Sequence, residues 1–207
     1  MAEESVTGIV LAGGHSRRMG RDKAALPFGD LPLLTWVVER VATVCHPVIV
    51  VARDADAYRD CGTTVIADRW PGEGPLVGLH AGLMSTETEY AAAIACDLPF
   101  VERALLAGLI DLAPGWSAIV PEALGNIHPL CAIYHRSVGQ TAEDLLRRGG
   151  GSLRRLLAEP ALRVRLIPEE DLREWDPTLQ SFTNVNTLEE YDEAVAIFRS
   201  VPAPKED

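Results

Sequence analysis

Basic residues are in short supply in this 207-residue chain: 19 Lys and Arg stand against 30 Asp and Glu, a net charge of −11. The surface as a whole repels polyanions, which excludes a general nucleic-acid-coating role. Cysteine is scarce too. Cys45, Cys61, Cys96 and Cys131 are widely spaced, with no C-x-x-C pair and no histidine pattern of the zinc type, and they read as reduced core residues of an intracellular protein. No apolar stretch approaches the roughly 18 residues that a membrane span needs. Met1 to Ser5 carries two glutamates and no basic leader region, so the expected location is the cytoplasm, without a membrane partner. Internal repeats and low-complexity segments are also missing.

What is there fits a folded protein: 47% of residues are apolar and 24% charged. At roughly 150 residues per domain the length suits one domain. Val6 to Ala12 is a β-branched, apolar run ended by Gly13-Gly14, the pattern of a buried strand feeding a loop. From Leu33 to Val44 the apolar positions recur at helical spacing, and Pro47 to Val51, Thr64 to Ala67 and Tyr90 to Ala95 are further strand-like runs, with the helix-compatible stretch Asp54 to Asp60 between the first two. Leu76, Leu79, Leu83 and Met84 suggest a helix opened by Pro75, and Glu102 to Leu112 suggests another. This β-α-β-α rhythm implies an α/β fold with a mostly parallel sheet and helices on both faces. Ser117 to Val120 and Leu130 to Tyr134 flank Gly125-Asn126, an antiparallel excursion that would make the sheet mixed, and helices are expected at Gln140 to Arg148 and Leu153 to Ala158. Residues 1–200 would form the domain. The proline and charge content of 201–207 reads as a disordered tail.

The segment from Leu11 to Lys23, LAGGHSRRMGRDK, is the most informative. Paired glycines let backbone approach a ligand closely, and exposed N–H groups in such a loop can cradle phosphate oxygens. Arg17, Arg18, Arg21 and Lys23 against Asp22 give a local charge of +3 within an acidic chain, which suits a triphosphate. Five residues separate Gly14 from Gly20 and Arg21 follows, so this is no Walker A loop, and G-x-G-x-x-G is absent from it as well.

The string L-A-G-G-x-S-R-R-M-G-x-D-K resembles the signature loop of the molybdenum cofactor guanylyltransferases. Gly74-Pro75-Leu76-Val77-Gly78-Leu79, Cys96-Asp97-Leu98-Pro99-Phe100, His128-Pro129-Leu130 and Asn184-Val185-Asn186-Thr187 are similar to later motifs of that family, in the same order. The resemblance implies a single-domain Rossmann-like nucleotidyltransferase fold. It also implies transfer of GMP from GTP to the terminal phosphate of molybdopterin, with Mg2+ as cofactor. Lys23, Asp97 and Arg17 would be catalytic. Leu11, Ala12, Gly13, Gly14, Lys23, Asp68, Gly74, Pro75 and Asp97 would bind nucleotide. Arg18, Asn184 and Asn186 would bind the acceptor, and transient contacts with cofactor-insertion machinery or acceptor enzymes would follow. Arg53 stands where some relatives place an asparagine-like nucleotide contact, and it is left outside the site.

The residues themselves support part of this. Asp97 follows a strand-like run and so falls at a strand's carboxyl end, where open α/β sheets bind ligands, and a hard carboxylate suits magnesium held with phosphates; the competing expectation is that it caps the helix that follows. Asp68 has the same kind of position after Thr64 to Ala67. In an extended segment Asn184 and Asn186 share a face while Val185 points into the core, and Thr187 with Glu190 fits a capping box at a helix start. Two rival functions remain at this stage: a related transferase using CTP or a sugar phosphate, and a catalytically silent nucleotide-binding regulator.

Overall fold

The computed structural model describes residues 5–12, 22–68, 70–72 and 74–200. The expected tail at 201–207 lies outside them. Strand β1 (Thr7–Ala12) is buried along its whole length. Ile9 and Leu11 face one side of the sheet while Val10 and Ala12 face the other, the period-two alternation of a strand covered on both faces. A short hairpin follows, β2 (Pro27–Phe28) and β3 (Leu31–Pro32), then α1 (Leu33–Ala42), β4 (Val48–Ala52), β5 (Thr64–Ala67), α2 (Pro75–Met84), β6 (Tyr90–Ala95) and α3 (Arg103–Asp111). The second half contains β7 (Ala118–Ala123), β8 (Asn126–Ile127), β9 (Cys131–His135), α4 (Val138–Arg147), α5 (Leu153–Leu157), β10 (Val164–Pro168), α6 (Glu169–Leu172) and α7 (Leu188–Ser200).

The main sheet runs β10-β7-β9-β6-β1-β4-β5, with β8 paired to β7. Only β9 and the short β8 run against the rest, so the expected mostly parallel, mixed sheet is what forms. The antiparallel excursion is the β7–β8 hairpin, turned by Leu124 and Gly125, both with positive φ. Residues Asp54 to Asp60 form only a single 3-10 turn, Ala55–Tyr58, without a buried residue; a stretch with no apolar stripe has nothing to hold a longer helix. The hairpin β2–β3 and the edge strand β10 are too short or too polar in pattern to be read from the sequence.

Helices α1, α3 and α6 cover one face of the sheet, and α2, α4 and α5 the other. Helix α2 lies almost directly on β1: a Cβ at Gly78 would sit 2.6 Å from Leu11 Cδ2, and one at Gly82 would sit 2.5 Å from Ile9 Cγ2. These glycines are four residues apart and share one helical face. All four cysteines are free and buried.

A third, smaller cluster fastens α7 to the hairpin. Phe28 packs against Trp36, Phe100 and Phe198 with ring centroids 5.5, 5.8 and 5.0 Å apart, Val185 and Ala194 are buried with them, and Tyr191 Oη donates to the Pro27 carbonyl. The start of α7 is the expected capping box: Glu190 N donates to Thr187 Oγ1 at 3.1 Å, and Glu190 Oε2 accepts from Thr187 N at 3.0 Å.

Two stability measurements test this packing. Gly82→Ala should overpack the α2–β1 contact and cost about 1–3 kcal/mol in denaturant titration; an unchanged midpoint would mean that Ile9 can yield without strain. Thr187→Ala should remove one cap bond and cost about 1 kcal/mol, seen as a lower Tm.

Candidate functional site

The chain leaves β1 toward β4 and β5, then crosses back to β6 on β1's other side. Connections therefore diverge at the carboxyl ends of β1 and β6, the crevice where open α/β sheets receive ligands. Leu11 and Ala95 are register partners there, and Cys96 N donates to the Leu11 carbonyl at 3.1 Å. Lys23 lies in the 3-10 turn Lys23–Ala25 and Asp97 shortly follows β6, so two residues 74 positions apart arrive at one point.

Lys23 Nζ donates to Asp97 Oδ2 at 2.6 Å and reaches Asn186 Oδ1 at 3.4 Å. The two charged side chains are only 16% and 14% exposed, so solvent screens the pair weakly. Asp97 Oδ1 is buried and has no hydrogen-bond partner among the described residues. A carboxylate oxygen left so is costly unless something binds it, and a hard carboxylate oxygen is the kind of donor magnesium prefers. The residues therefore fit the cation that the family resemblance implies. The capping alternative fails: the residue preceding α3 is Glu102, whose side chain makes no capping bond, and the Asp97 side chain turns to Lys23 instead.

Lys23 is held from its own side of the site. Asp22 Oδ1 accepts from Ala24 N at 3.1 Å, opening a 3-10 turn at Lys23–Ala25, while Asp22 Oδ2 accepts from Tyr58 Oη at 2.6 Å. Burial, reinforced by the Asp22 contact, pushes the Tyr58 phenol well above its ordinary value, so it stays a donor. Sequence reasoning missed Tyr58, because nothing near it in the chain signals a partner 36 residues away.

Asp97 is held through its backbone carbonyl, which accepts from Val185 N at 3.0 Å. Val185 is buried while Asn184 and Asn186 are exposed, the alternation expected of that segment. Of the two amides only Asn186 meets Lys23 in a described contact. Its own N–H donates to Glu190 Oε2 at 2.6 Å, so the α7 cap sets its backbone, a role for Glu190 beyond the capping box itself. Upstream, buried Asp176 accepts from Ser181 N at 2.8 Å, Gln180 N at 3.3 Å and Thr178 Oγ1 at 3.1 Å, and Ser181 Oγ accepts from Glu102 N at 3.0 Å. This loop then presents Phe182 to His128 with ring centroids 4.5 Å apart. His128 Nε2 lies 3.0 Å from the Ala123 carbonyl, which can only accept, and burial holds its imidazole below the ordinary pKa. The His128-Pro129-Leu130 segment thus buttresses the asparagine loop, and Leu130 O receives Ala95 N at 2.9 Å at the end of β6.

The remaining expected residues line the same edge without a described contact to Lys23. Leu11 and Ala12 end β1. Asp68 follows β5, its N–H donating to the Ala52 carbonyl at 3.0 Å; burial raises its pKa, and the Arg53 charge opposes that rise. Gly74 has φ 121° and ψ 165°, a backbone that only glycine adopts without strain, and Pro75 opens α2 directly after it. Gly13, Gly14, Arg17 and Arg18 lie outside the described residues. Burial pushes the Cys96 thiol up to about 12, and Cys45 and Cys131 likewise, which keeps these three as thiols. No helix among the described residues is long and apolar enough to cross a membrane.

A family model for the MobA-like NTP transferase domain matches residues 8–165. The chain is 37% identical over 199 residues to a molybdenum cofactor guanylyltransferase of Desulfosudis oleivorans, an alignment covering 95% of this chain and 98% of that one. Identity to the molybdenum cofactor guanylyltransferase of Syntrophotalea carbinolica is 32% over 190 residues, covering 90% and 89%. Among solved structures, the molybdopterin-guanine dinucleotide biosynthesis protein A of Archaeoglobus fulgidus superposes with a TM-score of 0.83 at 28% identity, covering 95% of this chain and all of that one. With the paired glycines after β1, the Lys23–Asp97 contact at the switch point and the Asn-Val-Asn loop beside them, the chain belongs to the MobA-like NTP transferase family.

Proposed function

We propose that this chain is a molybdenum cofactor guanylyltransferase, taking GTP and molybdopterin to molybdopterin guanine dinucleotide and pyrophosphate. The observation that carries the reading is the meeting of Lys23, Asp97 and Asn186 at the carboxyl ends of β1 and β6, in a chain whose near full-length relatives bear that activity in their names. An oxygen of the acceptor's terminal phosphate attacks the α-phosphorus of GTP, and the bond from that phosphorus to the bridging oxygen of the β-phosphate breaks, releasing pyrophosphate. The acceptor is already an anion, so no strong general base is required, and catalysis rests on alignment and charge stabilisation.

The chain's own residues divide that work. Gly13, Gly14, Arg17 and Lys23 hold the phosphates; Leu11, Ala12, Asp68, Gly74 and Pro75 frame the nucleotide; Asn184 and Asn186, with Arg18, face the acceptor. Asp97 is the carboxylate for magnesium. When bound, Mg2+ supplies positive charge at the α-phosphate and the leaving pyrophosphate. A cytoplasmic setting and transient contacts with cofactor-insertion machinery or acceptor enzymes belong to this reading.

Pyrophosphate release with Mg2+ and molybdopterin should be faster with GTP than with CTP, and sugar phosphates should not replace molybdopterin. A preference for CTP would move the chain to another transferase of the superfamily, and nucleotide binding without turnover would make it a regulator. Asp97→Asn should lower kcat by at least about a hundredfold and change the magnesium requirement, whereas Lys23→Ala should raise the KM for GTP and lower kcat together; near wild-type turnover by Asp97→Asn at ordinary magnesium would remove the metal role. Asn184→Ala should raise the KM for molybdopterin and leave that for GTP almost unchanged. The reverse pattern would move the acceptor pocket elsewhere, toward His128 and Pro129.

A further inference from the structure

Two requirements of the proposed reaction meet in a single contact. The lysine expected to hold phosphate and the carboxylate expected to hold magnesium are bound to each other, Nζ to Oδ2 at 2.6 Å. A divalent cation approaching Asp97 alone finds an ammonium on one carboxylate oxygen, and at that distance in a weakly screened site the repulsion is strong. A polyphosphate approaching Lys23 alone finds a carboxylate in its path. Each partner of a metal–nucleotide complex binds less readily while the other charge remains uncompensated. Arriving together, they satisfy both at once: the cation takes Asp97 and the phosphates take the ammonium.

We infer that Lys23 is the counter-ion of Asp97 in the nucleotide-free protein and is handed over to the nucleotide's phosphates, so that the site resists bare divalent cations and admits the metal together with the polyphosphate. The inference rests on the reading of Asp97 as the metal carboxylate. Three features fit a side-chain exchange. Asp22, tied to Ala24 N and Tyr58 Oη, fixes the backbone at the root of Lys23, so the turn can stay in place while the long side chain swings. Asn186 Oδ1, 3.4 Å from Nζ, offers the ammonium a neutral acceptor as it leaves the carboxylate. Asp97 Oδ1 is buried and unpartnered among the described residues even while Oδ2 is taken, so the ammonium leaves the carboxylate with an acceptor still unsatisfied.

The test reads cation binding instead of turnover. Mn2+ is titrated by electron paramagnetic resonance into nucleotide-free wild-type protein, Lys23→Met, Asp97→Asn and the double variant, each checked for folding by circular dichroism, with Lys23→Gln as the replacement should Lys23→Met fail to fold. Water-proton relaxation with added GTP follows the ternary complex. Without nucleotide, Lys23→Met should bind Mn2+ at least about tenfold more tightly than wild type, the equivalent of one charge-assisted hydrogen bond removed from the competing side, and Asp97→Asn in the same chain should abolish the gain. With GTP present the advantage of Lys23→Met should shrink or reverse. Equal Mn2+ affinity of wild type and the lysine variant, with Asp97→Asn still weakening Mn2+ uptake in the presence of GTP, would overturn the exchange and leave the metal role of Asp97 standing. If Asp97→Asn left the Mn2+–GTP complex intact, the metal role would fall and the exchange with it.

Discussion

Burial of β1 on both faces is the constraint on which the rest depends. A strand apolar on both faces needs helices above and below, and β1 is also paired on each edge. β4 and β6 supply the edges, and the apolar side chains of α1 and α2 supply the cover. Because Gly78 and Gly82 bring the α2 backbone onto Leu11 and Ile9, there is no slack between helix and strand. The glycine-proline start of α2 therefore has a set position relative to the end of β1. A binding crevice at the carboxyl edge follows from the topology, since connections diverge there and leave backbone groups unclaimed.

The crevice becomes a chemical site only through α7. That helix contributes no strand and covers little of the sheet, yet its cap touches both sides of the charged pair: Val185 N holds the Asp97 carbonyl, and Asn186 reaches Lys23. Its far end is locked by Phe198 against Phe28 on the hairpin that follows Lys23 and against Trp36 on α1. The chain's last described helix thus braces the segment after β1 and the loop after β6 together. A site made of groups 74 and 163 positions apart needs such a brace, because local structure alone places each group to no better than a loop's freedom.

Electrostatics work on two scales. The net charge of −11 repels polyanions in general, while the sequence LAGGHSRRMGRDK carries a local excess of positive charge. Within the crevice the Lys23–Asp97 pair holds opposite charges in contact with little solvent between them and the outside. Each charge has a partner in the other, which avoids the cost of a lone buried ion.

What the sequence determined by itself was everything encoded by local periodicity and local chemistry. Alternation at Ile9 to Ala12, the stripe from Leu33, the proline opening α2 and the Thr187–Glu190 box each act over a few residues, so the α/β rhythm, the strand ends and the cap were legible without coordinates. The motifs carried the family resemblance for the same reason, as ordered strings. Tertiary structure alone decided which strand ends became neighbours. It made Asp97 an ion-pair partner of Lys23 instead of a helix cap, selected Asn186 over Asn184 for that pair, and assigned Tyr58 and Glu190 the task of holding the site's backbone. The physical reason is that hydrogen bonds and ion pairs are short-ranged and indifferent to sequence separation: a 2.6 Å contact across 74 positions exists only once the sheet order has closed the distance.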